Sequence, residues 1–185
     1  MMKVVTVFGG SAVRSGDQGY TQAERLGAAL ARAGYAVATG GYEGAMEAAS
    51  KGAAEAGGRV VGYTCEALAR WHGLKPNRWV QEVIPSQSLH ERIVRLIDAG
   101  EALLALPGGV GTLSEVALSW SLMQTREIAP KPLVLIGDCW QATLSTFLET
   151  AGTYIRPADA DLLAFAEDTD QAVKLVRSRL DGKQA

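Results

Sequence analysis

A carboxylate three residues beyond a run of glycines is the feature of this sequence with the most chemistry in it. In Pro107-Gly108-Gly109-Val110-Gly111-Thr112-Leu113-Ser114-Glu115 the glycines leave backbone N–H groups bare where a helix begins, an arrangement that holds a phosphate. Gly108, Gly109, Gly111 and the Thr112 hydroxyl are the candidate contacts, sized for a single phosphate or a short one. Glu115 has two readings. Thr112-Leu113-Ser114-Glu115 has the form of a capping box, which would make Glu115 a structural residue in the first turn of the helix. A carboxylate one turn past a phosphate site also lies about where the ribose of a 5'-nucleotide reaches. There it can bind ribose hydroxyls, orient water and stabilise positive charge developing on the sugar as a glycosidic bond breaks.

Two more glycine-rich turns, Phe8-Gly9-Gly10-Ser11 and Thr39-Gly40-Gly41-Tyr42-Glu43-Gly44-Ala45-Met46, follow strand-like runs, and Gly10, Ser11, Gly40 and Gly41 join the candidate nucleotide contacts. Ser88-Leu89-His90-Glu91 has the pattern of a capping box opening a helix to about Ala99, with Arg92 in its first turn. Arg92 reads either as a solvated or ion-paired side chain or as a guanidinium that clamps a phosphate or a leaving base. His90, with no partner in the sequence, is set aside as structural, and His72 has no functional weight. The glycines do not form a P-loop, because no Gly-Lys-Ser/Thr follows them, so NTP hydrolysis is disfavoured. The first turn is not Gly-x-Gly-x-x-Gly and no acidic residue ends the second strand, which disfavours a nicotinamide dinucleotide.

The elements that must position these groups are legible as strand-like runs at Lys3 to Phe8, Ala36 to Thr39, Arg59 to Tyr63, Val80 to Ile84, Ala102 to Leu106, Pro132 to Ile136 and Leu162 to Phe165. Most are followed by helical patterns. Examples are the stretch with Tyr20, Ala23, Leu26, Gly27, Leu30 and Ala31, closed by Gly34, and a last helix from about Thr169 to Leu180 with Ala172, Val173, Val176 and Leu180 on one face. Alternation of this kind predicts an α/β fold: a doubly wound, Rossmann-like, mostly parallel sheet of about seven strands with helices on both faces, as one domain over residues 1–185. Ligands in such sheets bind outside the carboxyl ends of the strands, where the three glycine turns fall.

With 185 residues, 48% hydrophobic and 21% charged, and a formal charge of −2, the composition is that of an ordinary globular domain. No basic block favours a nucleic acid or an acidic membrane surface, and no apolar run is long enough to span a bilayer. The chain enters a strand pattern directly from Met1-Met2-Lys3 without a signal-peptide pattern, so a cytoplasmic location is expected. Cys65 and Cys139 have no metal-ligand spacing and read as packed small hydrophobes. Trp79, Trp120 and Trp140 read as core or interface, with Trp120 placed for a subunit contact.

The glycine-to-glutamate run resembles the Pro-Gly-Gly-x-Gly-Thr-x-x-Glu signature of the LOG family, the cytokinin riboside 5'-monophosphate phosphoribohydrolases long mislabelled as lysine decarboxylases. It matches at every fixed position. The similarity spans roughly Val4 to Ala151: Phe8-Gly9-Gly10-Ser11 is similar to the family's first turn, Gly40-Gly41 with Gly44 and Met46 to its Gly-Gly-Gly-x-x-Gly-x-Met turn, and His90-Glu91-Arg92 to its arginine segment. The resemblance implies hydrolysis of the N-glycosidic bond of a nucleoside 5'-monophosphate, such as AMP or a cytokinin riboside monophosphate, to free base and ribose 5-phosphate. Glu115 and Arg92 would be catalytic, and no metal or organic cofactor is implied. It also implies a homodimer or larger homo-oligomer with the site near the subunit contact.

This sequence departs from the family's pattern at Ile93, Arg95 and Leu96 after the arginine, and at Tyr42-Glu43, which set a bulky ring and a carboxylate beside the pocket. A competing reading is a non-catalytic carrier of a phosphorylated ligand, since molybdenum cofactor carrier proteins resemble this family in fold and glycine motif. Lysine decarboxylation is disfavoured, because no lysine lies beside a glycine turn to form a Schiff base with pyridoxal phosphate.

Overall fold

The computed structural model describes residues 2–182. Its strands and helices alternate along the chain: β1 (Val4–Phe8), α1 (Gln18–Arg32), β2 (Ala36–Thr39), α2 (Ala45–Glu55), β3 (Val60–Cys65), α3 (Glu66–His72), β4 (Glu82–Ser86), α4 (Leu89–Ala99), β5 (Ala102–Ala105), α5 (Val110–Gln124), β6 (Leu133–Ile136), α6 (Asp138–Thr150), α7 (Pro157–Ala160), β7 (Leu163–Ala166) and α8 (Thr169–Asp181). A 3-10 turn, Gly152–Tyr154, precedes α7. The seven strands form one sheet in the order β4-β3-β2-β1-β5-β6-β7, and every pairing is parallel. The chain winds outward from β1 to β4, crosses back, and continues from β5 to β7. The strand order therefore reverses between β1 and β5, the place where sheets of this kind open a crevice for a ligand.

The inner strands β1, β2, β5 and β6 read as near-continuous apolar runs because helices cover both faces of the sheet. On one face Tyr20, Leu26 and Leu30 of α1, Ala48 and Ala49 of α2, and Ala172 and Val176 of α8 pack against Val5, Val37, Leu104 and Val134. On the other, Leu96 and Ile97 of α4, Val116 and Met123 of α5, and Trp140 and Leu144 of α6 pack against Phe8, Leu103, Leu133 and Leu135. β4 is displaced two residues from the sequence expectation and runs through Pro85, in register with Thr64. An edge strand tolerates this, since a proline there gives up a donor no neighbour needs. Of the two cysteines, Cys65 is buried, but Cys139 is exposed near the start of α6 and so is not the packed residue expected.

Two features hold the elements that carry the site. Helix α4 is fixed at both ends: Ser88 Oγ accepts from the Glu91 N–H at 3.4 Å, and the Lys131 ammonium donates to the Ile97 and Gly100 carbonyls at 3.0 and 2.7 Å. Glu91 completes the N-terminal cap on the Gln87 N–H rather than on that of Ser88. Helices α1 and α2 lie so close that a Cβ on Gly27 would overlap the Ala49 carbonyl and one on Gly52 the Glu24 carbonyl. The methyl of a Gly52→Ala substitution has nowhere to go, whereas at an open helical position it would stabilise by up to about 1 kcal/mol. Gly52→Ala is expected to lose about 1–3 kcal/mol in denaturant unfolding through this overpacking; unchanged or raised stability would contradict the close packing.

Candidate active site

The three glycine turns follow β2, β1 and β5, which are neighbours in the sheet, and they are bonded to one another. The Gly10 N–H donates to the Pro107 carbonyl at 3.2 Å, and the Ala45 N–H donates to the Gly10 carbonyl at 2.9 Å. The glycines divide into two groups. At Gly44 and Gly108 the protein itself leaves no room for a side chain, and at Gly10 it is tight: a Cβ would lie 2.6 Å from the Gly10 carbonyl at Gly44, 2.8 Å from Gly10 N at Gly108, and 3.2 Å from Gly108 Cα at Gly10. Gly44 also has φ of +73°. Gly109 and Gly111 are different. Both are exposed, neither has a left-handed φ, and a Cβ on either would meet nothing within 4 Å. Gly111 stands in the first turn of α5, where glycine is about 0.5–1 kcal/mol worse than alanine. What these two positions leave open is a bare approach to the first N–H groups of α5, whose N-cap is Gly109 and carries no side-chain cap.

Glu115 is not part of a capping box. Helix α5 begins at Val110, so Thr112 is already its third residue, with Oγ1 beneath Gly108, and Glu115 its sixth, in the second turn. From there the carboxyl points inward and is 9% exposed. Burial pushes its pKa up from 4.5 to about 7, against the opposing pull of the Arg92 guanidinium. Arg92 is itself buried rather than solvated. Its Nε donates to the Tyr63 carbonyl at 2.6 Å, its Nη2 lies 3.6 Å from Met46 Sδ, and its guanidinium sits 5.5 Å from the centre of the Tyr42 ring. Its Nη1 is 4.0 Å from Glu115 Oε1, longer than a hydrogen bond, so the two charges are close without being closed on each other.

The turn after β2 works differently from the expectation for it. Gly40 is buried and makes room for Arg92, since a Cβ there would overlap the guanidinium. The Gly41 N–H is taken by Thr39 Oγ1 at 3.1 Å and the Gly41 carbonyl by Asn77. Gly40 and Gly41 thus shape the arginine's slot rather than presenting free donors, and the Gly10 N–H is likewise engaged. Ser11 is exposed beside them. Tyr42 does not crowd the pocket: its ring is 3% exposed and its hydroxyl donates to the Cys65 carbonyl and accepts from the Cys65 N–H. Glu43 points outward and pairs with Arg14 at 3.5 Å. His90 is exposed.

Asn77 was invisible to sequence reasoning. It staples the turn after β2 by donating from Nδ2 to the Gly41 and Tyr42 carbonyls at 3.1 and 2.9 Å, across some 35 residues of chain that carry no motif. Among the described residues no group of three or more His, Cys, Asp or Glu could hold a metal ion, and no helix is long and apolar enough to cross a membrane.

Comparison with known proteins gives the same reading of the fold and family. The model of the SLOG cluster4 family matches residues 2–159. A cytokinin riboside 5'-monophosphate phosphoribohydrolase of Rhodococcoides fascians is 32% identical over 187 residues, covering 95% of this chain and 90% of that protein. One of the same name from Mycobacterium tuberculosis is 29% identical, with 82% of each chain covered. Among solved structures, a molybdenum cofactor carrier protein of Chlamydomonas reinhardtii superposes with a TM-score of 0.76 at 26% identity, over 98% of this chain and 99% of that one.

Glu115 makes stability depend on pH. Between about pH 4.5 and 7 the folded chain holds a proton on Glu115 that the unfolded chain has released, so the contribution of this residue to stability falls as pH rises through that window. Glu115→Gln has no such proton. Measured by denaturant unfolding, its stability relative to wild type is expected to improve by about 2–3 kcal/mol between pH 5 and pH 8. A difference independent of pH would show that Glu115 is not a desolvated carboxyl.

Proposed function

We propose, on the premise that this chain belongs to the SLOG cluster4 family and carries Pro-Gly-Gly-Val-Gly-Thr-Leu-Ser-Glu at residues 107–115, that it hydrolyses the N-glycosidic bond of a nucleoside 5'-monophosphate, AMP or a cytokinin-riboside-monophosphate-like nucleotide, to free base and ribose 5-phosphate. The observation that carries this reading is a buried carboxyl with pKa near 7, held 4.0 Å from a buried arginine one helical turn inside an uncapped helix start.

The 5'-phosphate rests on the first N–H groups of α5 at Gly109 and Gly111, where the helix end is positive. That places the ribose over Glu115. Water adds to C1', the C1'–N bond breaks with its electron pair leaving on the base, the base takes up a proton, and the water gives one up. The ionised Glu115 carboxylate orients the water or the ribose hydroxyls and stabilises the positive charge on the sugar, all the more strongly for being desolvated. Arg92 faces the base or the phosphate. The working form of Glu115 is ionised, so activity falls as pH drops below about 7. The nucleotide is the only small-molecule partner this reading needs.

Glu115→Gln is expected to lower the release of base and ribose 5-phosphate from AMP by a factor of about a hundred or more while leaving nucleotide binding within about threefold. The likeness to a molybdenum cofactor carrier favours one alternative, binding without chemistry. Wild-type protein that releases no base from any of a panel of nucleoside 5'-monophosphates, yet copurifies with a pterin fluorescent after oxidation, would replace the hydrolase by the carrier.

The active assembly in this proposal is a homodimer. Helix α5 is buried along Thr112, Glu115, Val116, Ser119 and Met123, yet its opposite side exposes a stripe at Val110, Leu113, Ala117, Ser121 and Gln124. Beside that stripe lies a groove of about 290 Å³ walled by Trp120, Phe147 and Tyr154, the last 89% exposed. An apolar surface on the helix that carries Glu115 suits a second copy of the chain, placing the site at the subunit contact. Phe147→Asp is expected to convert the dimer to a monomer in sedimentation velocity without unfolding it; a wild-type monomer would refute the assembly.

A further inference from the structure

We propose that Tyr42 is the positioning residue for Arg92: its ring forms the platform that keeps the guanidinium against Glu115, and Cys65 and Asn77 fix that platform. This goes beyond the hydrolase reading but rests on it for the role of Arg92.

Arginine has much rotamer freedom to lose, and Arg92 projects from the first turn of α4 into a slot built by a different part of the sheet. Its Nε bond to the Tyr63 carbonyl restrains one edge of the guanidinium. Gly40 makes room for Nη2, and among the described residues no hydrogen bond pins the Nη1 that meets Glu115. The Tyr42 ring supplies a restraint, 5.5 Å from the guanidinium carbon and within cation–π range of a desolvated pair. The ring is not a loose filler. Its hydroxyl makes two bonds to the Cys65 backbone, at 3.0 and 2.7 Å, and Asn77 Nδ2 holds the Tyr42 carbonyl. A tyrosine there to fill volume needs none of these tethers and no cation over its face. Removing the ring opens a space into which the guanidinium can fall away from Glu115.

The test reads Glu115 directly. Arg92 is the charged group that bears on Glu115 and holds its pKa down, so a retreating guanidinium raises it. Carboxyl titration of Glu115 by carbon-13 NMR is compared in wild type, Tyr42→Phe and Tyr42→Leu, alongside kcat and KM for AMP. Tyr42→Phe keeps the ring but loses its two bonds to Cys65, and is expected to move the midpoint less than Tyr42→Leu does. Tyr42→Leu is expected to move the midpoint up by about half a unit or more and to lower kcat about tenfold with KM within about threefold. A folded Tyr42→Leu with the wild-type midpoint, or a shift in Tyr42→Phe as large as in Tyr42→Leu, overturns the proposal. Should Tyr42→Leu fail to fold, fluorinated phenylalanines at position 42 weaken the ring's attraction for a cation at nearly constant shape. The midpoint must then climb with fluorination, and a flat series overturns the proposal. If wild type hydrolyses no nucleotide, the hydrolase reading fails on its own, while the titration still decides whether Tyr42 places Arg92.

Discussion

Glu115 and Arg92 are opposite charges buried within 4.0 Å of each other and not bonded. Burial disfavours the ionised carboxyl and Arg92 favours it, and the carboxyl's pKa near 7 says that burial has the upper hand. A direct salt bridge would have reversed that balance, with the carboxylate ionised far below neutrality and its oxygens already occupied. The gap is kept open because the two side chains are anchored from different sides. Arg92 is held toward β3 by the Tyr63 carbonyl and toward the turn after β2 by Tyr42 and Met46, while Glu115 is fixed by the helix that follows β5.

Parallel winding is what brings those anchors together. With the strand order reversing beside β1, residues some 75 positions apart in the chain, at Gly40 and Glu115, are carried by turns that sit on either side of the turn after β1. Gly10 is the joint, giving its N–H to Pro107 and its carbonyl to Ala45. Side chains on Gly10, Gly44 or Gly108 would push the turns apart, and with them Arg92 from Glu115. Glycine serves two purposes in one small region: it lets backbones touch at these positions, and it leaves the helix start of α5 bare at Gly109 and Gly111.

Much of this was readable from residues alone, because seven apolar runs at regular spacing leave a doubly wound sheet as the arrangement that covers both faces. Where the sequence misled, a local pattern had two physical meanings. Thr112 to Glu115 fits a capping box, but the helix starts at Val110 since Gly109 supplies its N-cap, so Glu115 moves one turn inward and into the core. Gly40 and Gly41 looked like phosphate ligands because strand-end glycines so often are; only the position of Arg92, from a helix about 50 residues later, reveals that the space is filled from inside the protein. Asn77 gave no signal at all, and Tyr42 showed only as a bulky ring beside the pocket, since what they do depends on partners reached through the fold. Cys139 looked apolar by type and is exposed by position.

The positions that defy local rules are informative as a set. An uncapped helix start, a glycine in the first turn of α5 that no neighbour demands, and a carboxyl buried without a bonded cation each work against stability. A missing side-chain cap is not peculiar to α5, since α1, α2, α3, α6 and α7 also start without one; what sets α5 apart is the combination with Gly111 and Glu115. Helix α4 is capped by Ser88 and α8 by Asp168, and the close-packed glycines of α1 and α2 answer to steric need. These three features together between Gly109 and Glu115, on the side where the strand order reverses, have a common explanation if a phosphorylated ligand takes the bare N–H groups and its sugar meets the carboxyl. The ligand then supplies the anion that caps the helix, and the desolvation that disfavours the ionised Glu115 becomes the low-dielectric setting in which its charge acts most strongly on the sugar.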